Sequence, residues 1–253
     1  MRNFIFFIFL AACTPGPPVE APSTSQAEAA APQSGVEVAQ AKFVVGIRTQ
    51  TKGDLRRRFE DGSELVISHW AIVLSAVEVH LCEEAAWKRA FIGTAYAHVS
   101  NSITRLGTPV AEDLLMGTGG AKVVGEIGPP TGNYCRAYAV FTRADNDVMN
   151  FTLFSDADLL GHTAVIRGEL IQPNMPPTPI EWVWDGVQVS PLELDSIPMV
   201  NPTDSFLLLV DKNVDATLLD GLSIDRVKSG QAVDDLMSAL FSRVELYRSG
   251  APR

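Results

Sequence analysis

The sequence predicts a mainly β protein, an antiparallel β-sandwich with one C-terminal helix, over residues 42–253. Three observations carry that expectation. Apolar side chains recur with the two-residue period of a strand in many short runs. Gly, Pro, Asn and Asp punctuate those runs at intervals of about 8–12 residues, the spacing an antiparallel sandwich produces. Only one stretch has helical spacing.

In chain order, Phe43, Val45 and Ile47 alternate with Val44, Gly46 and Arg48 and predict the first strand. Arg56-Arg57-Arg58-Phe59 leads into a Glu60-Asp61-Gly62-Ser63 turn and a strand at Leu65–Ile67. Ala71–Leu81 is apolar on both faces, with Ile72, Leu74 and Ala76 on one and Val73, Val77 and Val79 on the other, which predicts a central covered strand. After a polar break at Glu83-Glu84, short strands are expected at Trp87–Ile92 and Tyr96–Val99. Val110–Met116 and Lys122–Ile127 flank Gly117-Thr-Gly-Gly120, read as a hairpin loop because it lacks the Lys-Ser/Thr pair of a phosphate loop. Gly128-Pro-Pro-Thr-Gly-Asn133 is a turn that launches Tyr134–Thr142. Phe151–Leu153, Thr163–Ile171, Ile180–Trp184, Leu192–Ile197 and Phe206–Val210 complete the strand pattern. Val233, Leu236, Met237, Leu240, Phe241 and Val244 then fall on one helical face, predicting a helix over about 229–249 with Ser229 as N-cap and Gly250 as stop.

Residues 1–12 read as a signal peptide. Arg2 supplies the positive end, Phe4–Leu10 is unbroken apolar chain, and Leu10-Ala11-Ala12-Cys13 follows. This tetrapeptide resembles the lipobox of bacterial lipoproteins, which implies acylation of Cys13 and a membrane partner reached through the lipid anchor. The apolar run is too short to span a bilayer, which takes about 20 residues. Thr14, rather than Asp, after the cysteine implies an outer-membrane, periplasm-facing location. Residues 13–41 hold Pro15, Pro17, Pro18, Pro22 and Pro32 among Ala, Ser, Gln and Glu, and are expected to form a disordered tether behind the lipidated cysteine. A net charge of −10 and a pI near 4.8 exclude a nucleic-acid partner, whose phosphates require clustered Lys and Arg.

Three segments carry a family resemblance: Phe59-Glu-Asp-Gly62 leading into Val73–Val79; Leu106-Gly-Thr-Pro-Val110 with Asp113-Leu-Leu115; and Gly128-Pro-Pro-Thr-Gly-Asn-Tyr-Cys135. They resemble uncharacterised β-sandwich lipoproteins of Gram-negative bacteria. More distantly, the chain is similar to MbnP-like periplasmic copper-binding lipoproteins. The likeness spans roughly residues 43–169 and rests largely on turn residues. It implies an all-β domain and copper as the associated metal. The family's sites use His and a modified Trp, and no such site aligns residue by residue here.

Two readings compete for the cysteines other than Cys13. Cys82 and Cys135 form an even pair in an oxidising compartment, and a disulfide between them is the first expectation. Alternatively His80 and Cys82, two residues apart on one strand face, would join His98 in a nitrogen–sulfur metal site suited to copper or, less so, zinc. A disulfide and a Cys82 thiolate exclude one another in one state. His69 and His162 have nothing near them in sequence to mark a site. Asp145-Asn146-Asp147 with Asp156 and Asp158 offers calcium hard oxygen ligands, but Asn150 and Met149 depart from an EF-hand, and a solvated acidic loop is the preferred reading. Trp182 and Trp184 share a strand face and are read as core in preference to a sugar platform. No GxSxG, HExxH, Walker or dinucleotide motif is present, so the chain is expected not to be an enzyme, with a hydrolase the weakest alternative. The resulting expectation is a lipid-anchored binding or structural envelope module with envelope proteins or glycans as partners, and metal binding as the alternative.

Overall fold

The computed structural model describes residues 42–82, 104–149, 159–199 and 204–249. The chain is mainly β, as expected, and its two curled sheets enclose the larger of two apolar clusters among the described residues. Sheet A has four strands in the order β12 (Val244–Ser249), β11 (Ser205–Asp215), β1 (Lys42–Lys52), β6 (Lys122–Ile127). Sheet B is built on β3 (Glu64–Leu81), whose continuous apolarity fuses the two predicted strands at 65–67 and 71–81 into one of 18 residues. Along one edge of β3 lie β2 (Leu55–Arg58), β5 (Val110–Asp113) and β4 (Arg105–Leu106). Along its other edge lie β8 (Ala164–Ile171) and β7 (Gly132–Phe141), flanked in turn by β9 (Thr178–Trp184) and β10 (Gln188–Met199).

The faces follow the period-two pattern. Phe43, Val45, Ile47 and Thr49 of β1 and Leu208, Val210, Lys212 and Val214 of β11 are all buried and alternate with residues of the opposite face. From sheet B, Leu65, Trp70, Ile72, Tyr134, Phe141 and Ile166 complete the core. A second cluster, including Ala71, Val73, Ala111, Val148 and Leu159, lies apart from it. Register shifts between Ile67 and His69 and between Leu74 and Ala76 let β3 serve both clusters. Gly168 on β8 sits where a Cβ would come 2.1 Å from Val66 O, so only glycine fits beside the first of these bulges.

The Glu60–Ser63 turn forms as expected, with Gly62 at φ 81° and Asp61 Oδ1 accepting from Ser63 N–H at 2.9 Å. That bond leads the causes holding the Asp61 carboxyl below its ordinary pKa. The pairing of β1 with β11 is parallel, the exception in an otherwise antiparallel set of ladders.

The expected helix over 229–249 is corrected. Helix α1 spans Ile224–Ser229 and α2 spans Ala232–Phe241. Ser223 Oγ caps α1, Ser229 is its last residue, and Gly230 ends it in the left-handed region. The chain then turns at Ser242-Arg243, and Val244–Ser249 becomes β12. The reason is tertiary: the exposed ladder of β11 accepts a strand, and Leu246 enters the core on a two-residue period. Residues 1–41, the candidate strands at Trp87–Ile92, Tyr96–Val99 and Phe151–Leu153, and Gly250 lie outside the described residues.

Candidate functional site

Cys82 and Cys135 are disulfide-bonded, with their Cα atoms 4.8 Å apart. The bond joins the end of β3 to β7, where Cys82 N–H also donates to Asn133 O at 2.8 Å. In this state Cys82 offers no thiolate, so the predicted His80–Cys82–His98 metal set lacks its sulfur ligand. His98 lies outside the described residues. His80 stands edge-on to Tyr138, ring centroids 5.0 Å apart, and its Nε2 is 3.5 Å from Glu78 Oε2. That interaction is the largest influence on the Glu78 carboxyl and holds it below its ordinary pKa. Burial opposes it, and Arg105, 3.2 Å away, reinforces it.

The other sequence candidates resolve individually. Trp182 is buried and Trp184 packs on Phe241 of α2 at 5.4 Å, so both indoles serve the core. Asp145 Oδ1 accepts from Asp147 N–H within its own turn, and Asp156 and Asp158 lie outside the described residues. His162 Nδ1 is 2.6 Å from Asp185 Oδ1 at the surface. Among the described residues no group of three or more His, Cys, Asp or Glu converges to hold a metal ion.

The structure assembles a different site, at the seam where β1 and β6 of sheet A meet β5 of sheet B. A cleft of about 390 Å³ opens there, lined by Ile47 and Thr49 of β1, Ala111, Glu112 and Asp113 of β5, His69 of β3, the Met116–Gly120 loop and Lys122. Its floor is polar. Thr49 Oγ1 donates to Glu112 Oε1 at 2.6 Å, and Lys212 Nζ lies 2.9 Å from Glu112 Oε2. The Lys212 side chain is only 1% exposed and that of Glu112 21%. Beside them, His69 Nδ1 is 2.7 Å from Asp113 Oδ2, while Asp113 Oδ1 accepts from Leu115 N–H at 2.9 Å and caps the single 3₁₀ turn Leu114–Met116. On the opposite face of sheet A, Arg48 and Asp211 form a two-point ion pair at 3.0 and 2.5 Å.

Local sequence dictates much of this. Parallel register places Thr49 beside Lys212 and Arg48 beside Asp211, so consecutive charged residues of β11 point to opposite faces. β5 is short because Asp113, by capping the following turn, ends it. Gly117 passes so close to β1 that a Cβ there would stand 2.7 Å from Thr49 O and 2.8 Å from Thr49 Cγ2. Gly119, at φ 75°, donates to Thr49 O at 3.0 Å and seats the loop. Gly117–Gly120 thus forms one wall of the cleft as well as joining β5 to β6.

Sequence reasoning passed over His69, Thr49, Glu112, Asp113 and Lys212. A usable signal was present in β11, where Asp211-Lys212 interrupts the apolar run Leu207–Val214. Ending that strand at Val210 hid it.

Comparison with known proteins finds no matching family model, no matching curated protein and no matching solved structure.

Proposed function

We propose that this chain is a binding module of the bacterial envelope, held to the outer membrane through Cys13 and taking a small ligand in the cleft between its sheets. The supporting observation is the buried polar floor. Placing Lys212 and Glu112 in a sandwich core carries a desolvation penalty of several kcal/mol per ion, and an apolar pair of similar volume would be at least as stable. A fold that retains such a charge pair beside a cleft lined by apolar and polar side chains has the form of a recognition site. The anchor reading rests on the Leu10–Cys13 motif and is consistent with a disulfide-bonded domain, since such bonds persist in oxidising compartments.

A direct test is native mass spectrometry of the full chain extracted in mild detergent from the outer membrane of a Gram-negative host. Expected are an acylated N-terminal Cys13 and a small-molecule adduct that disappears in Thr118→Trp, which plugs the cleft mouth from an exposed loop position. An unacylated protein would sink the anchor. An adduct that survives Thr118→Trp would move the site elsewhere, and an adduct-free protein would leave a structural role as the better account.

A further inference from the structure

We infer that the ligand of this cleft is a small amphipathic amine, bound with its protonated nitrogen on the Glu112–Asp113 floor and its apolar body along Ile47, Ala111 and Met116. This rests on the cleft being the binding site. It adds the polarity and the orientation of what enters.

The first argument is charge balance. Two carboxylates, Glu112 and Asp113, line the cleft, and one buried ammonium, Lys212, pairs with Glu112. His69 Nδ1 faces Asp113 Oδ2 at 2.7 Å. The Glu112 and Asp113 carboxylates thus outnumber the one ammonium paired with them, and an entering ammonium evens that count. The second argument is acceptor capacity. A carboxylate offers about four lone-pair sites. Glu112 gives one oxygen to Thr49 and the other to Lys212, which leaves acceptor positions on its exposed portion. Beyond its ion pair, the Lys212 ammonium has no hydrogen-bond partner among the described residues and does not line the cleft, so it offers an incoming anion no direct contact.

The third argument is the distribution of apolar surface. Ile47 and Ala111 are buried in the walls, whereas Met116 stands 78% exposed at the mouth. A flexible thioether in that position suits an apolar chain leaving the cleft. Lys122 also lies on the lining and is exposed. It disfavours a second positive charge at the outer end of the ligand, so a monoamine fits better than a diamine.

The test titrates the full chain with hexylamine, 1,6-diaminohexane, hexanol and hexanoate at pH 7.5, read by calorimetry and by the Met116 methyl resonance. Hexylamine is expected to saturate, to shift that methyl, and to bind about tenfold more tightly than hexanol or hexanoate. Glu112→Gln should remove the preference over hexanol. Should that variant not fold, Met116→Lys places a cation at an exposed mouth position and should weaken hexylamine about fivefold while sparing hexanol. Hexanoate or hexanol binding as tightly as the amine would overturn the proposed polarity while leaving the cleft as the site. Diamine binding more tightly than hexylamine would overturn the orientation. Failure of all four compounds to move the Met116 methyl would overturn the cleft itself.

Discussion

The Glu112–Lys212 pair makes an unequal prediction that its two exposures define. Lys212 is 1% exposed and Glu112 21%, so removing one partner strands a group in a different environment in each case. Glu112→Leu leaves an ammonium with no counter-charge inside the sandwich and should destabilise the fold by about 3–5 kcal/mol. Lys212→Met leaves a carboxylate that retains the Thr49 hydroxyl and reaches the cleft, so its penalty should be about 1–3 kcal/mol. The double variant Glu112→Leu/Lys212→Met buries no charge and should return to within about 1 kcal/mol of the parent. For a chain of this size, each kcal/mol corresponds to about 2–4 °C in Tm. The assay is urea unfolding at pH 7 followed by tryptophan fluorescence, with unchanged m-values required before the midpoints are compared. Equal losses in the two single variants would refute the burial argument. A double variant as unstable as the two singles combined would refute the pairing itself.

Other consequences can be measured in the same way. Gly117→Ala must displace either Thr49 or the loop, because the new Cβ would sit 2.7 Å from a backbone oxygen; a loss of about 1–3 kcal/mol and faster hydrogen exchange at Gly119 N–H are expected. Cys82→Ser opens a bridge between positions 53 apart in sequence and should lower stability by about 2–4 kcal/mol, seen as a shifted urea midpoint. The Glu78 carboxyl titrates below its ordinary value of 4.5 when folded, so its contribution is present above that pH and is lost as pH falls through the lowered value. Glu78→Gln should therefore flatten the acid limb of a Tm–pH profile below pH 4.5 while changing its shape little above. Trp184→Ala removes the indole that packs on Phe241 and should destabilise by about 3–5 kcal/mol, whereas a sugar-binding indole would leave the midpoint unchanged.

Architecture was legible in the sequence wherever side-chain period decided it. Phe43-x-Val45-x-Ile47 and the long apolar run of β3 could bury their surface only as strands, and the Asp61-Gly62 turn has its own chemistry. Residues 244–249 were not legible, since Val244 satisfies a helical face and a strand face equally and the unpaired edge of β11 decides between them. The cleft was hidden for a related reason. Its polar groups come from β1, β3 and β5, with Thr49 and Glu112 63 positions apart and Lys212 of β11 paired behind them, and no local spacing joins them. Each was read alone: His69 as an isolated imidazole, Gly117–Gly120 as a hairpin loop, and Asp211-Lys212 as the chain beyond a strand. The disulfide, by contrast, needed only an even pair of cysteines once Cys13 was assigned to the expected lipid anchor.

The parallel pairing of β1 with β11 has a consequence for how the molecule is made. The first strand of the domain lies in the middle of sheet A, and its neighbour on one side is Ser205–Asp215. Every strand of sheet B precedes that segment, so sheet B can pair before sheet A has its centre. In such an order of pairing, Leu65, Trp70, Ile72, Phe141 and Ile166, all buried in the folded chain, would wait for sheet A to cover them. Long-range pairing of this kind is intrinsically slow, because loop-closure entropy must be met before any contact repays it. A state with sheet B paired and sheet A still open would present an adhesive face until Ser205–Asp215 joins β1. A truncation before Ser205 would make that state permanent.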